Sequence, residues 1–145
     1  MLLDIKGAYN QVNRGILWWQ CRRRELSGTW LGLLQLLFNE CEGVVGVGGY
    51  ASACFSPEVG MLQGSVLSLL LFAVFIDDLA KEMQCVISGL LVNRIWMNVF
   101  LFMDNLALVV DNLVAMQVAL QIAEEHAIWN QYLWSVSKSI ILGTG

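Results

Sequence analysis

The chain has 145 residues and a formal net charge of −4 at neutral pH, which bounds it to one domain or a piece of one and excludes nucleic-acid binding through a basic footprint of its own. Hydrophobic residues make up 57% and charged residues 14%, against about 25% charged in ordinary soluble domains, so the chain is membrane-embedded, buried in a larger assembly or poorly soluble. The longest charge-free run, Val59 to Ile76, is broken by Gly60, Gln63, Gly64, Ser65 and Ser68. The dense part, Val66–Ile76, falls short of the roughly 20 apolar residues a spanning helix needs. No charged segment followed by an apolar one opens the chain, so no signal peptide is evident, and no membrane partner is expected. Cys21, Cys41, Cys54 and Cys85 lack CxxC spacing and the chain has one histidine. No zinc site follows, and reduced thiols in the nucleus or cytoplasm are expected.

In chain order, Leu2–Ile5 is expected to be a short buried strand with Asp4 at its end. Gly15–Leu26 is expected to be an amphipathic helix presenting Ile16 and Trp19, with Arg22, Arg23 and Arg24 on a solvated face. Thr29–Cys41 is a second helix, its Leu31, Leu34, Leu37 and Phe38 spaced along one side. Gly43–Tyr50 reads as strand and turn, and Pro57–Ser65 as a loop. Val66–Met83 reads as a strongly apolar helix, with Asp77 and Asp78 at its exposed polar end. Arg94–Val110 is a hydrophobic hairpin turning at Phe102-Met103-Asp104-Asn105. Leu113–Tyr132 is a helix with Leu113, Met116, Leu120, Ala123 and Ala127 along one side, and Ser135–Leu142 is a closing strand. No repeat or linker interrupts the series, and this order of elements suits an α+β domain.

Three blocks stand out. They are Leu3-Asp4-Ile5-Lys6-Gly7-Ala8-Tyr9-Asn10-Gln11-Val12, then Gly60-Met61-Leu62-Gln63-Gly64-Ser65 running on to Ser68 and Leu71-Phe72, then Phe102-Met103-Asp104-Asn105-Leu106-Ala107-Leu108-Val109. Taken alone, Asp4 and Asp104 read as turn or cap residues, Tyr9 as core packing, Gly64 as a turn before a helix and Lys138 as a surface lysine. A carboxylate ending one strand and another on a hairpin turn can also converge, although about a hundred positions separate them. Paired carboxylates are hard oxygen ligands of the kind Mg²⁺ takes.

In this order the blocks resemble motifs A, B and C of reverse transcriptases, most closely those of non-LTR (LINE-like) retrotransposons, and the resemblance covers nearly the whole chain. It implies a polymerase palm, an antiparallel sheet carrying the active-site hairpin with helices on one face, spanning residues 1–145 and motifs A to D. It implies an RNA-directed DNA polymerase acting on an RNA template, a DNA primer and a deoxynucleoside triphosphate. Two Mg²⁺ ions, about 3.5–4 Å apart in such sites, would be held by Asp4 and Asp104. Tyr9 would lie under the incoming sugar and exclude a 2′-hydroxyl, Gln63 and Gly64 would approach nucleotide and template, and Lys138 in Val136-Ser137-Lys138-Ser139 would correspond to the motif D proton donor.

Several positions depart from the family pattern. Asn105 stands as a vestige of the second motif C aspartate, keeping its shape without its charge. Asn10 and Asn13 stand where acidic residues are usual, Leu69 where a proline follows the motif B serine, and Met103 and Val110 where alanine is frequent. Asp to Asn, Pro to Leu and Ala to Val each need one G-to-A or C-to-T transition, so a decayed retroelement copy is expected. Phe75-Ile76-Asp77-Asp78 matches the aromatic-x-Asp-Asp signature literally but follows motif B by a helix's length without flanking strands, and is read as helix. The upstream fingers elements and a thumb are expected to be absent, and catalysis to be weak or lost.

Overall fold

The computed structural model describes residues 1–143. A three-stranded antiparallel sheet is built from β1 (Leu2–Asp4), β6 (Val99–Phe102) and β7 (Asn105–Leu108), in the order β1-β7-β6. Two peripheral hairpins, β2 (Gly46–Val47) with β3 (Tyr50–Ala51) and β4 (Leu90–Val92) with β5 (Ile95–Met97), stand apart from it. The helices are α1 (Ala8–Gln11), α2 (Arg14–Arg23), α3 (Gly28–Asn39), α4 (Val66–Val86) and α5 (Leu113–Asn130). This mixture of helices and antiparallel sheets is compatible with the α+β class.

The sheet has one dry face and one open face because side chains alternate along each strand. Leu3 pairs with Leu106, and both are buried. Leu101 pairs with Leu106 from the other side, and Leu108, paired with Val99, is buried as well. The opposite parity puts Asp4 across from Asn105 and Phe102 across from Asn105 on the open face, where Phe102 and Asn105 are exposed and Asp4 is largely covered. Behind the dry face, α4 is the central element. It buries Ser68, Leu71, Phe72, Phe75, Ile76, Leu79 and Met83, a helical stripe that meets Leu17 and Cys21 of α2 and Ala119 and Ala123 of α5 in one continuous core.

Caps fix where the helices start and stop. Asn13 Oδ1 accepts from the Ile16 N–H (3.1 Å) and starts α2, and Asn112 Oδ1 accepts from the Ala115 N–H (2.8 Å) and starts α5. At the far end of α5, Gln131 turns left-handed (φ 60°) and Tyr132 N–H reaches back to the Ala127 carbonyl. The helix therefore ends at Asn130 and not at Tyr132, which frees the Tyr132 ring to enter the core against Phe75 and Trp134.

Other expectations are corrected. The hydrophobic stretch from Arg94 to Val110 is not one hairpin, since β5 pairs with the preceding β4 and only β6 and β7 form the turn at Asp104. Ser135–Leu142 is not a strand. A turn at residues 136–138 interrupts it, leaving single bridges between Trp134 and Ile5 and between Ile140 and Leu2. In α5 the buried stripe is Ala119, Ile122, Ala123, His126, Ala127 and Asn130, and Leu113 is exposed. In α2 the buried residues include Leu17, Trp18 and Cys21, with Trp19 half exposed. Both helices show weak sequence periodicity because apolar residues occupy all of their faces. α4 continues to Val86, which leaves Asp77 and Asp78 in its middle.

No helix among the described residues is long and apolar enough to cross a membrane. Much apolar surface is nonetheless open, including Trp30, Leu33, Leu36 and Leu37 along α3. Such patches favour association.

One buried polar group sets a pH dependence. His126 is 7% exposed, its Nδ1 lies 3.0 Å from the Tyr132 hydroxyl, and its Nε2 has no partner among the described residues. Burial pushes its pKa down from 6.5 to about 4, with Asp78 pulling weakly the other way. As pH falls below 6.5 the unfolded chain takes up this proton and the folded chain does not. The contribution of His126 is therefore intact above pH 6.5, declines between 6.5 and about 4, and levels off below. The expected loss across that window is about 3 kcal/mol. Urea midpoints at pH 7 and pH 4.5 should show it in the wild type and a much smaller loss in His126→Gln; equal losses would mean that the imidazole is not held neutral.

Candidate active site

Strand pairing brings the two aspartates together. Asp4 closes β1, its Cα partner is Asn105, and the next residue, Ile5, donates its N–H to the Asp104 carbonyl (3.1 Å). Asp104 itself sits in the two-residue turn between β6 and β7. The turn is made by Met103, whose φ of 53° lies in the left-handed region, a conformation that costs a side-chain-bearing residue roughly 1–2 kcal/mol. Backbone strain of this kind gathers at functional sites. Here it lifts Asp104 to the tip of the hairpin.

The two carboxylates have different surroundings. Asp4 is largely enclosed, with its side chain 13% exposed. Its Oδ2 is buried without a hydrogen-bond partner among the described residues, and the Lys138 ammonium stands 3.6 Å away. Withdrawing a carboxylate oxygen from water without a donor is costly, so this oxygen suits a bound cation. Asp104 is half-buried, and its Oδ1 accepts from the neighbouring Asn105 amide (3.2 Å). A carboxylate at position 105 could not make that bond, and would repel Asp104. Asn105 therefore contributes no charge here and occupies a lone pair of the Asp104 carboxylate beside it. Among the described residues no group of three or more His, Cys, Asp or Glu side chains could hold a metal ion; Asp4 and Asp104 are the two carboxylates this sheet edge offers.

The loop before α4 is docked on the chain just after β1. Gly60 N–H donates to the Val12 carbonyl (2.9 Å) and Met61 N–H to the Tyr9 carbonyl (2.8 Å). Gly60 has φ 84°, and a Cβ there would come within 3.0 Å of the carbonyl oxygens of Tyr9 and Asn10. Only glycine permits that approach. Gly64 also has a positive φ, 85°, but faces open space. The Gln63 amide donates to Asn10 Oδ1 (3.0 Å), and the Tyr9 ring stacks on Phe72 of α4 with centroids 5.2 Å apart. The outcome is a cavity of about 460 Å³ whose lining includes Tyr9, Gln63, Gly64, Leu69 and Asp104. Asp4 is not among the lining residues and meets the Asp104-Asn105 turn through the strand pairing, while Lys138 reaches Asp4 from the turn after α5.

Arg14 was not singled out from the sequence, yet it secures this loop. It is buried, donating from Nε to the Gly60 carbonyl (2.8 Å) and from Nη1 to the Phe38 carbonyl (2.9 Å), with its guanidinium over the Phe38 ring. It thus ties α2 and α3 to the loop. A lone arginine early in a helix, next to an Asn cap, gives no local sign of burial.

The Asp77-Asp78 pair has a structural role, and its expected place at a helix end is corrected. Arg24 Nη2 bonds both carboxylates, Asp77 at 3.0 Å and Asp78 at 2.7 Å, Arg23 approaches Asp78 at 3.4 Å, and Lys81 bonds Asp77. Burial pushes the Asp77 carboxyl up, but Lys81 and Arg24 outweigh it and leave it below the usual carboxylate range. These residues clamp α2 to α4. The arginine run is therefore not a wholly solvated face, since Arg24 is spent on the clamp.

A family model described as reverse transcriptase (RNA-dependent DNA polymerase) matches residues 1–143. A comparison with curated proteins found no match.

The two glycines of the loop should respond differently to substitution. Gly64→Ala carries backbone strain only, about 1 kcal/mol, whereas Gly60→Ala adds overlap with two carbonyl oxygens and should cost about 2–4 kcal/mol. Denaturant unfolding of both variants measures this, and equal losses would contradict the close docking of Gly60 on Tyr9 and Asn10.

Proposed function

The chain belongs to the reverse transcriptase family, and from that premise we propose that it is a palm segment built for RNA-directed DNA synthesis whose activity, in this sequence, is lost or nearly so. The observation that carries the reading is the pairing of Asp4 with the Asp104-Asn105 turn beside a cavity lined by Tyr9, Gln63 and Gly64. Support also comes from the unsatisfied Asp4 oxygen, which fits a cation.

Two Mg²⁺ ions, when bound, would stabilise the attacking and leaving oxygens of an in-line nucleotidyl transfer. In this reading Asp4 and Asp104 hold them. Tyr9, braced by Phe72, forms the platform beneath the sugar and excludes a 2′-hydroxyl. Gln63 is oriented by Asn10 toward nucleotide and template, and Gly64 leaves room for the nucleotide to approach. Lys138 is the candidate donor of a proton to the pyrophosphate leaving group. The RNA template, the DNA primer and the deoxynucleoside triphosphate are the partners this assignment requires.

Asn105 is the reason for proposing weak or absent catalysis. Electrostatic stabilisation dominates phosphoryl-type transfer, and the amide removes one charge from the cluster. The sequence departures at Asn105, Leu69 and Val110 favour a degenerate copy of the non-LTR type, acting if at all as a non-catalytic module. Primer extension on an RNA template with Mg²⁺ or Mn²⁺ tests this. The wild type should incorporate at or near background, and Asn105→Asp should rise to roughly tenfold or more above that background. Wild-type incorporation that disappears in Asp104→Ala would overturn the inactive reading.

A further inference from the structure

We infer that Lys138 is a built-in cation that takes the place of a divalent ion at Asp4, so that ion binding and the Lys138–Asp4 contact exclude one another. The inference rests on the proposed role of Asp4 as an ion ligand, and it goes beyond the proton-donor role proposed for Lys138.

Three observations carry it. Asp4 Oδ2 is enclosed and has no hydrogen-bond partner among the described residues, and Lys138 Nζ stands 3.6 Å from that atom. This is close enough for charge pairing yet beyond a hydrogen bond, so the oxygen keeps its lone pairs for another cation. Second, the backbone holding Lys138 is fastened to β1. Ser135 N–H donates to the Asp4 carbonyl (2.7 Å), and Leu2 and Ile140 exchange both of their backbone hydrogen bonds (2.7 and 2.9 Å). Within the turn, the Lys138 and Ser139 N–H groups both reach the Ser135 carbonyl (3.1 and 3.0 Å). The lysine is therefore delivered to Asp4 by the fold. Third, the Lys138 side chain is 70% exposed. Its ammonium can swing into water while the turn stays in place.

Charge then determines what an arriving ion meets. Asp4 and Asp104 carry two negative charges, Asn105 contributes none, and Lys138 cancels one. A dication must displace the ammonium to reach Asp4, and otherwise faces a like charge beside its ligand. The amide at position 105 and the lysine at 138 thus weaken ion binding in the same direction from opposite sides of Asp4.

Mn²⁺ titration of the full chain, following the free-ion signal by electron paramagnetic resonance, tests the inference without requiring catalysis. Lys138→Met should tighten apparent Mn²⁺ binding roughly three- to tenfold. Lys138→Arg, which keeps the charge, should remain within about twofold of the wild type. Asp4→Asn should abolish the difference between lysine and methionine at 138. Equal affinity in the wild type and Lys138→Met, lost in Asp4→Asn, would overturn the inference while leaving Asp4 as an ion ligand. Absence of binding in every variant would overturn both. Tightening by Lys138→Arg equal to that by Lys138→Met would also overturn it, since charge would not be the cause. Should Lys138→Met fail to fold, amine-selective labelling of wild-type Lys138 replaces it, and the labelling rate should rise when Mn²⁺ is added; an unchanged rate counts against the exclusion.

Discussion

The antiparallel pairing of Leu2–Asp4 with Asn105–Leu108 is the constraint on which the rest of the molecule depends. It joins segments about a hundred residues apart, and it does so with side chains of fixed parity. Leu3 and Leu106 meet on the dry face, so Asp4 and Asn105 must meet on the open one. A slip of one residue would turn Asp4 into the core and Leu3 outward. Burial of the leucines thereby sets the position of the carboxylate. The hydrophobic effect, which has no direction of its own, becomes a device for aiming a charged group.

The second face of the site is positioned by backbone contacts more than by side chains. The loop before α4 lies on the carbonyls of Tyr9 and Val12, and Gly60 allows the approach. Arg14 holds the loop from behind by satisfying the Gly60 and Phe38 carbonyls. α4 then supplies Phe72 as the floor for Tyr9 and, further along, the Asp77-Asp78 pair that Arg24 draws toward α2. One helix supports the cavity wall at its first turns and is anchored by ion pairs in its middle. An arrangement of this kind explains how a chain with few charged residues uses nearly all of the buried or half-buried ones for fixed tasks.

Much of the fold was legible. The strand at Asp4, the turn at Asp104, the loop before α4 and the long helices follow from hydrophobic runs bounded by glycine, asparagine and serine. What was not legible has physical causes. α2 and α5 are apolar on several faces, so periodicity could not say whether Trp18 or Trp19, or Leu120 or Ile122, lies inside. The stretch after Tyr132 looks like a strand because it alternates, but the Ser135–Ser139 turn, closed by its own backbone hydrogen bonds, competes with the sheet and leaves only isolated bridges. The β4–β5 hairpin was hidden because the tight turn at Asn93-Arg94 relies on two left-handed residues that are not glycine.

Sequence alone nominates the candidate site residues. Asp4, Tyr9, Gln63, Gly64, Asp104 and Asn105 stand in three blocks whose order resembles motifs A, B and C of reverse transcriptases, and that order, more than any one residue, singles them out. Only the tertiary structure decided how those residues relate: that Asn105 stands opposite Asp4 and bonds Asp104, that Lys138 rests on Asp4, and that Asp77-Asp78 is a clamp. Those relations depend on strand register, helix rotation and the path of a turn. Each is fixed by packing between segments far apart in the chain, which no local pattern of residues encodes.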